Sequence, residues 1–112
     1  MKTVLHISDD DTRKVSELLG NIRNLREDSS VDNEATVVLM NGDAVNTALG
    51  DSEAAEFFSE ELENMVSFRV CSNSLEGRDI EPEDLLQGIE VVESGVGELT
   101  KLQSEGFNYI RL

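Results

Sequence analysis

Cysteine is nearly absent from this chain. Cys71 is the only one, so no disulfide can form within it, and a small secreted scaffold held by cystines is excluded. Histidine is as scarce: His6 stands alone, no Cys/His cluster has metal-ligand spacing, and neither a metal nor any other cofactor is implied. Long apolar runs are missing too. No stretch nears the roughly 20 residues of a membrane span, and "MKTVLHISDDD" carries one Lys and too short an apolar run for a signal peptide. A soluble, cytoplasmic protein is expected. Basic residues are few, 9 Lys plus Arg against 24 Asp plus Glu, which leaves a formal net charge of -15. Nucleic acid and anionic membranes are excluded as partners, because their phosphates would be repelled by that field.

What is present points to a folded domain. The acids are spread along the chain and not gathered in a tail, and 38% apolar residues suffice for a core, which argues against disorder. Only three of the nine basic residues are Lys. An acidic, Lys-poor surface of this kind suits a high-salt, halophile-like cytoplasm, where dense salt screens self-repulsion. A length of 112 residues fits one domain, 1–112.

The apolar period switches repeatedly between that of a strand and that of a helix. Thr3 to Ile7 ("TVLHI") reads as a first strand, and "SDDDT" supplies N-cap candidates for the next element. Val15, Leu18, Leu19, Ile22 and Leu25 then recur at helical spacing across roughly residues 11 to 28. Ala35 to Met40 ("ATVVLM") is a nearly continuous apolar run, as expected of a strand covered on both faces. "AVNTAL" reads as a short helix closed by Gly50, and Asp51 or Ser52 is expected to cap a further helix in which Ala55, Phe58, Leu62 and Met65 share a face.

The second half repeats the alternation. Val66 to Cys71 ("VSFRVC") is a third strand, followed by a brief helical turn. In "IEPEDLLQG" Pro82 suits a first helical position and Gly88 a C-cap. Ile89 to Val92 is a fourth strand; Ser94 and two glycines precede a helix with Val96, Leu99 and Leu102; Phe107 to Leu112 is a more polar fifth strand, placed at an edge. Strand and helix alternating throughout predict an α/β fold, a three-layer α/β/α sandwich with a mainly parallel sheet of about five strands.

Ligands of open parallel sheets bind outside the carboxyl ends of the strands. The candidates are therefore His6 with Ser8, Asn41 with Gly42, Cys71 with Ser72, Asn73 and Ser74, and Ser94 with Gly95. Cys71 admits two readings. At a strand end before a Ser-Asn-Ser run it feels the positive end of a helix, which favours the reactive thiolate, while nearby Glu76 opposes it. Alternatively it is a small hydrophobe filling a core. His6 is either a general base for that thiol or a histidine satisfied by one backbone hydrogen bond. "SGVG" lacks the third glycine of a dinucleotide fingerprint, Thr100 standing there, and tight-turn geometry accounts for its glycines.

"TVLHIS", "NIRNLRED", "VCSNSL" with Arg78 and Ile80 behind it, "DLLQGIEVVESGVGEL" and "SEGFNYI", in this order along essentially the whole chain, resemble the DsrE/DsrF-like family of small α/β proteins. The likeness is greatest to its stand-alone members. The resemblance implies a DsrE-like parallel five-stranded sandwich and assembly into homo-oligomers, trimers or hexamers. It also implies, at Cys71, the role of a cysteine that accepts and relays sulfur as a persulfide between donor and acceptor proteins. A sulfur carrier or sulfurtransferase-like activity is one expectation. Others are a non-catalytic oligomeric module that binds a small ligand beside Cys71, and a purely structural assembly subunit.

Overall fold

The computed structural model describes residues 1–112. The five β-favouring runs join in one sheet: β1 (Lys2–Ile7), β2 (Ala35–Met40), β3 (Ser67–Cys71), β4 (Glu90–Val92) and β5 (Phe107–Arg111). Their order is β4-β3-β2-β1-β5, and every neighbouring pair is parallel. Four α-helices connect or follow them: α1 (Thr12–Glu27), α2 (Ala55–Glu63), α3 (Ser72–Glu76) and α4 (Gly95–Ser104). Short 3-10 helices span Gly42–Ala48 and Pro82–Asp84.

The strand order dictates the layers. From β1 to β4 the chain steps across the sheet in one direction, so right-handed crossovers put α1 and α2 on one face. From β4 it returns past all the other strands to β5, and the same handedness puts α4 on the opposite face. Side-chain parity agrees. Leu5, Ile7, Val38, Met40, Phe68 and Val70 pack with Val15, Leu18 and Ile22 of α1 and Phe58 of α2. Val4, Val37 and Leu39 point the other way, onto Leu99 and Leu102 of α4. The result is a three-layer α/β/α sandwich with one thick apolar layer and one thin one.

Local chemistry explains the element ends, including those that differ from expectation. Asp11 caps α1 by accepting from the Arg13 N–H at 2.7 Å. No side chain caps α2; Ser52 instead donates its hydroxyl to the Thr47 carbonyl at 2.6 Å, closing the preceding loop. Met65 does not share the α2 face: the chain turns at Asn64, Met65 takes φ 70° and its side chain is exposed. The helix expected in "AVNTAL" is a 3-10 helix that already begins at Gly42 and ends at Ala48, leaving Leu49 extended, and "IEPEDLLQG" shortens to one 3-10 turn with Pro82 at its start. Ser94 caps α4 through the Gly97 N–H at 3.0 Å, so both glycines of "SGVG" lie inside the helix. No helix is long and apolar enough to cross a membrane.

Candidate functional site

The connections that follow β3 and β4 leave toward opposite faces, to α3 and to α4, and so diverge between the carboxyl ends of these two strands. Such divergence points are where open parallel sheets bind ligands. Cys71, the last residue of β3, is registered against Val92, the last of β4. It is also the N-cap residue of α3, with extended φ and ψ. Its sulfur therefore occupies the place where a serine or aspartate oxygen usually caps a helix.

Burial pushes the Cys71 thiol up, but the Ser74 hydroxyl and the N–H groups of Ser74, Gly95 and Asn73 outweigh it, and the thiol is held below its ordinary value. These groups come from two helices, α3 and α4. None has the geometry of a conventional capping hydrogen bond, so the sulfur sits among several donor dipoles without being gripped by one. Cys71 is only 6% exposed, which restricts the size of reagent that can reach it. Glu76, at the exposed far end of α3, is not among the groups acting on the thiol.

The strand ends beyond Cys71 form a continuous polar row. The Ser74 hydroxyl accepts from the Gly42 N–H at 2.9 Å, which joins α3 to the loop after β2. Gly42 has φ +55°, and a Cβ there would meet the Ser8 carbonyl oxygen at 3.1 Å, so both backbone conformation and space call for glycine. Gly95 is packed against Asn41 and Leu39, leaving 3.4 and 3.3 Å for a Cβ, and this closeness lets its N–H face the sulfur. Gly95 and Gly97 do not have positive φ; close approach, and not turn geometry, explains them.

Asn41 links the thiol end of the row to His6. Its Oδ1 accepts from the Ser8 hydroxyl at 2.6 Å and from His6 Nε2 at 2.9 Å. With that proton on Nε2, His6 Nδ1 accepts from the Tyr109 hydroxyl at 2.7 Å. Burial lowers the His6 pKa; the Asn41 bond opposes this and the Arg111 charge adds to it, so the ring is neutral near pH 7. All its partners are in this cluster and Cys71 is not one of them. The structure thus gives His6 side-chain partners where one backbone bond was expected, and does not pair it with the thiol.

Of the residues singled out from sequence, Cys71, Asn73, Ser74, Gly42, Gly95, Asn41, Ser8 and His6 are brought into one row. Ser94 stands behind it as the α4 cap, and Ser72 begins α3 with no side-chain hydrogen bond of its own. Tyr109 and Arg111 were missed. Their signal was present: β5 lies beside β1, and alternate residues of "FNYIR" share one face, the face to which His6 points. A separate groove of about 540 Å³ between α1 and the start of α2 includes none of these residues. Nowhere do three or more His, Cys, Asp or Glu side chains gather as a metal site would require.

Fold and site together define a small parallel α/β/α protein with a donor-lined thiol at the divergence of two crossovers. The DsrE/DsrF-like family model matches residues 11–112, and the chain belongs to that family. It is 37% identical to a protein of unknown function, MTH1491 from Methanobacterium thermoautotrophicum, whose structure superposes with a TM-score of 0.93 over 99% of this chain and 98% of that one. The conserved protein of unknown function BT1422 from Bacteroides thetaiotaomicron (17% identity, TM-score 0.78, 99% and 94% covered) shares the fold. So does the ychN protein from E. coli (17% identity, TM-score 0.80, 100% of both chains). None of the curated proteins matches the chain significantly.

Proposed function

We propose that this protein is a cysteine-dependent sulfur carrier, loading sulfur on Cys71 as a persulfide and passing it to an acceptor. The observation that carries the reading is the set of donors from two helices around one thiol whose pKa is lowered despite burial. Membership of a family with sulfur-relay relatives supports it. In the loading step the Cys71 thiolate attacks the outer sulfur of a donor persulfide. The new S–S bond forms on Cys71, the donor's own S–S bond breaks, and its electron pair leaves with the donor thiolate, so no oxidant is consumed. The Ser74, Asn73 and Gly95 donors then face an anionic persulfide.

Intact-mass measurement after exposure to a persulfide donor tests this. One added sulfur on the parent protein and none on Cys71→Ser is the expected result; an unmodified parent would reject it.

The low exposure of Cys71 favours a second reading, an oligomeric module that binds a small ligand at these strand ends with the cysteine as lining. Under it, Cys71→Ser keeps ligand affinity and in-cell function. In either reading we place the chain, as one domain, in a homo-oligomer within a salt-rich cytoplasm. Exposed Phe57, Val91, Val96 and Ile110 are apolar surface suited to subunit contact.

A further inference from the structure

Arg111 is the feature of the polar row that the thiol does not use. Its Nη1 lies 2.9 Å from the Ser8 hydroxyl and 3.0 and 3.2 Å from the two ring nitrogens of His6. Nearly equal distances to both ring nitrogens place this end of the guanidinium over the imidazole face. Nη1 is thereby anchored, whereas Nε and Nη2 make no hydrogen bond within the chain. Those two atoms form the fork edge that takes a carboxylate in two parallel bonds.

Its anchoring, more than its lack of an ion pair, sets Arg111 apart. Of the six arginines, Arg26, Arg69 and Arg78 are ion-paired and Arg13, Arg23 and the exposed Arg111 are not; among these last three only Arg111 has its guanidinium held by side chains of the chain, and it is held at the carboxyl ends of the strands. The neutral His6 supports the cation without competing for the fork. The anchored head leans from β5 onto the end of β1, two strands from β3. Two inter-strand spacings are roughly 10 Å. A molecule of about three extended residues has that reach.

We propose that Arg111, seated on His6 and Ser8, is the carboxylate-binding subsite for a small acidic persulfide whose sulfur is delivered to Cys71. The donor class is a peptide-sized thiol bearing a free carboxylate, such as a tripeptide persulfide. Asn41 spans the two ends, bonding His6 and Ser8 on one side and packing against Gly95 on the other. The inference rests on the carrier reading and adds the donor's chemistry to it.

The test compares loading of Cys71 by glutathione persulfide and by its neutral diester, in high salt so that the protein's overall charge is screened. Arg111→Gln is expected to lower the diacid-to-diester rate ratio about tenfold, the scale of a lost charge-assisted pair. Arg111→Lys retains part of the ratio, and Arg23→Gln, with the same change of net charge, retains all of it. Iodoacetamide alkylation of Cys71 stays at the parent rate in each variant, which reports an intact thiol site. A ratio unchanged by Arg111→Gln would overturn the subsite while leaving the carrier reading in place. No added sulfur from either donor, with alkylation intact, would overturn the carrier reading and the subsite with it.

Discussion

The Ser74 hydroxyl accepts a 2.9 Å hydrogen bond from the Gly42 N–H and is one of the groups that hold the Cys71 thiol low. An acceptor bond on one side of a hydroxyl oxygen directs its proton to the other side, here toward sulfur. Ser74 thus turns the position of a loop after β2 into thiolate stabilisation at the end of β3.

Replacing Ser74 with Ala removes that donor and leaves the burial that pushes the thiol up. The pH profile of Cys71 alkylation is expected to move to higher pH, with a slower rate at pH 7 and an unchanged plateau at high pH. A profile that stays in place would show that the backbone donors suffice.

Reagent size is a second lever. With Cys71 only 6% exposed, small iodoacetamide is expected to react much faster than a bulky maleimide, relative to the same pair of rates on a free model thiol. Equal relative rates would mean that the site opens readily.

His6 makes folding sensitive to mild acid. Its folded pKa lies below the ordinary value of about 6.5, so on acidification the unfolded chain takes up the proton first and stability falls as pH drops below that value. Above it the ring is neutral in both states and contributes no slope. His6→Gln is expected to flatten the thermal-melting profile between neutrality and about pH 5, where few carboxylates titrate.

Arg26 and Glu61 clamp α1 to α2 through bonds of 2.6 and 3.1 Å. The Arg26 hydrogen bond holds the Glu61 carboxyl below its usual range, against burial, so this contribution is present above about pH 4.5 and is lost as pH falls. Glu61 is buried and Arg26 partly exposed, so Arg26→Met is expected to cost about 1–2 kcal/mol at pH 7 and less in acid, by denaturant titration.

The thick apolar layer is the less forgiving one. Phe58 and Phe68 are fully buried with ring centroids 4.8 Å apart, and Phe58→Ala is expected to cost about 3–5 kcal/mol. A loss near 1 kcal/mol would mean that the neighbours collapse into the space.

Strand periodicity made the sheet readable, because a residue such as Val38 must be apolar when both faces of β2 are covered, and the alternation of elements then fixes parallel pairing. The element ends were less readable. The turn at Met65 depends on a positive φ at a residue with no preference for one, and the α2 entry lacks a capping side chain because Ser52 serves the loop. At the site, position along a strand end located Cys71, Asn41 and His6. The partners of His6 were hidden, since Tyr109 and Arg111 lie over a hundred positions away and meet it only because β5 returns to pair with β1.

The sulfur of Cys71 stands where a helix cap belongs, and that couples its chemical state to local order. A thiol is a weak acceptor and leaves the first turn of α3 poorly held; an anionic persulfide is a strong one. Under the proposed carrier role, loading would tighten the start of α3 and unloading would free it, so hydrogen exchange at Asn73 and Ser74 is expected to slow when Cys71 bears the extra sulfur. An acceptor that reads the firmness of that turn could then distinguish the two proposed states without touching the sulfur.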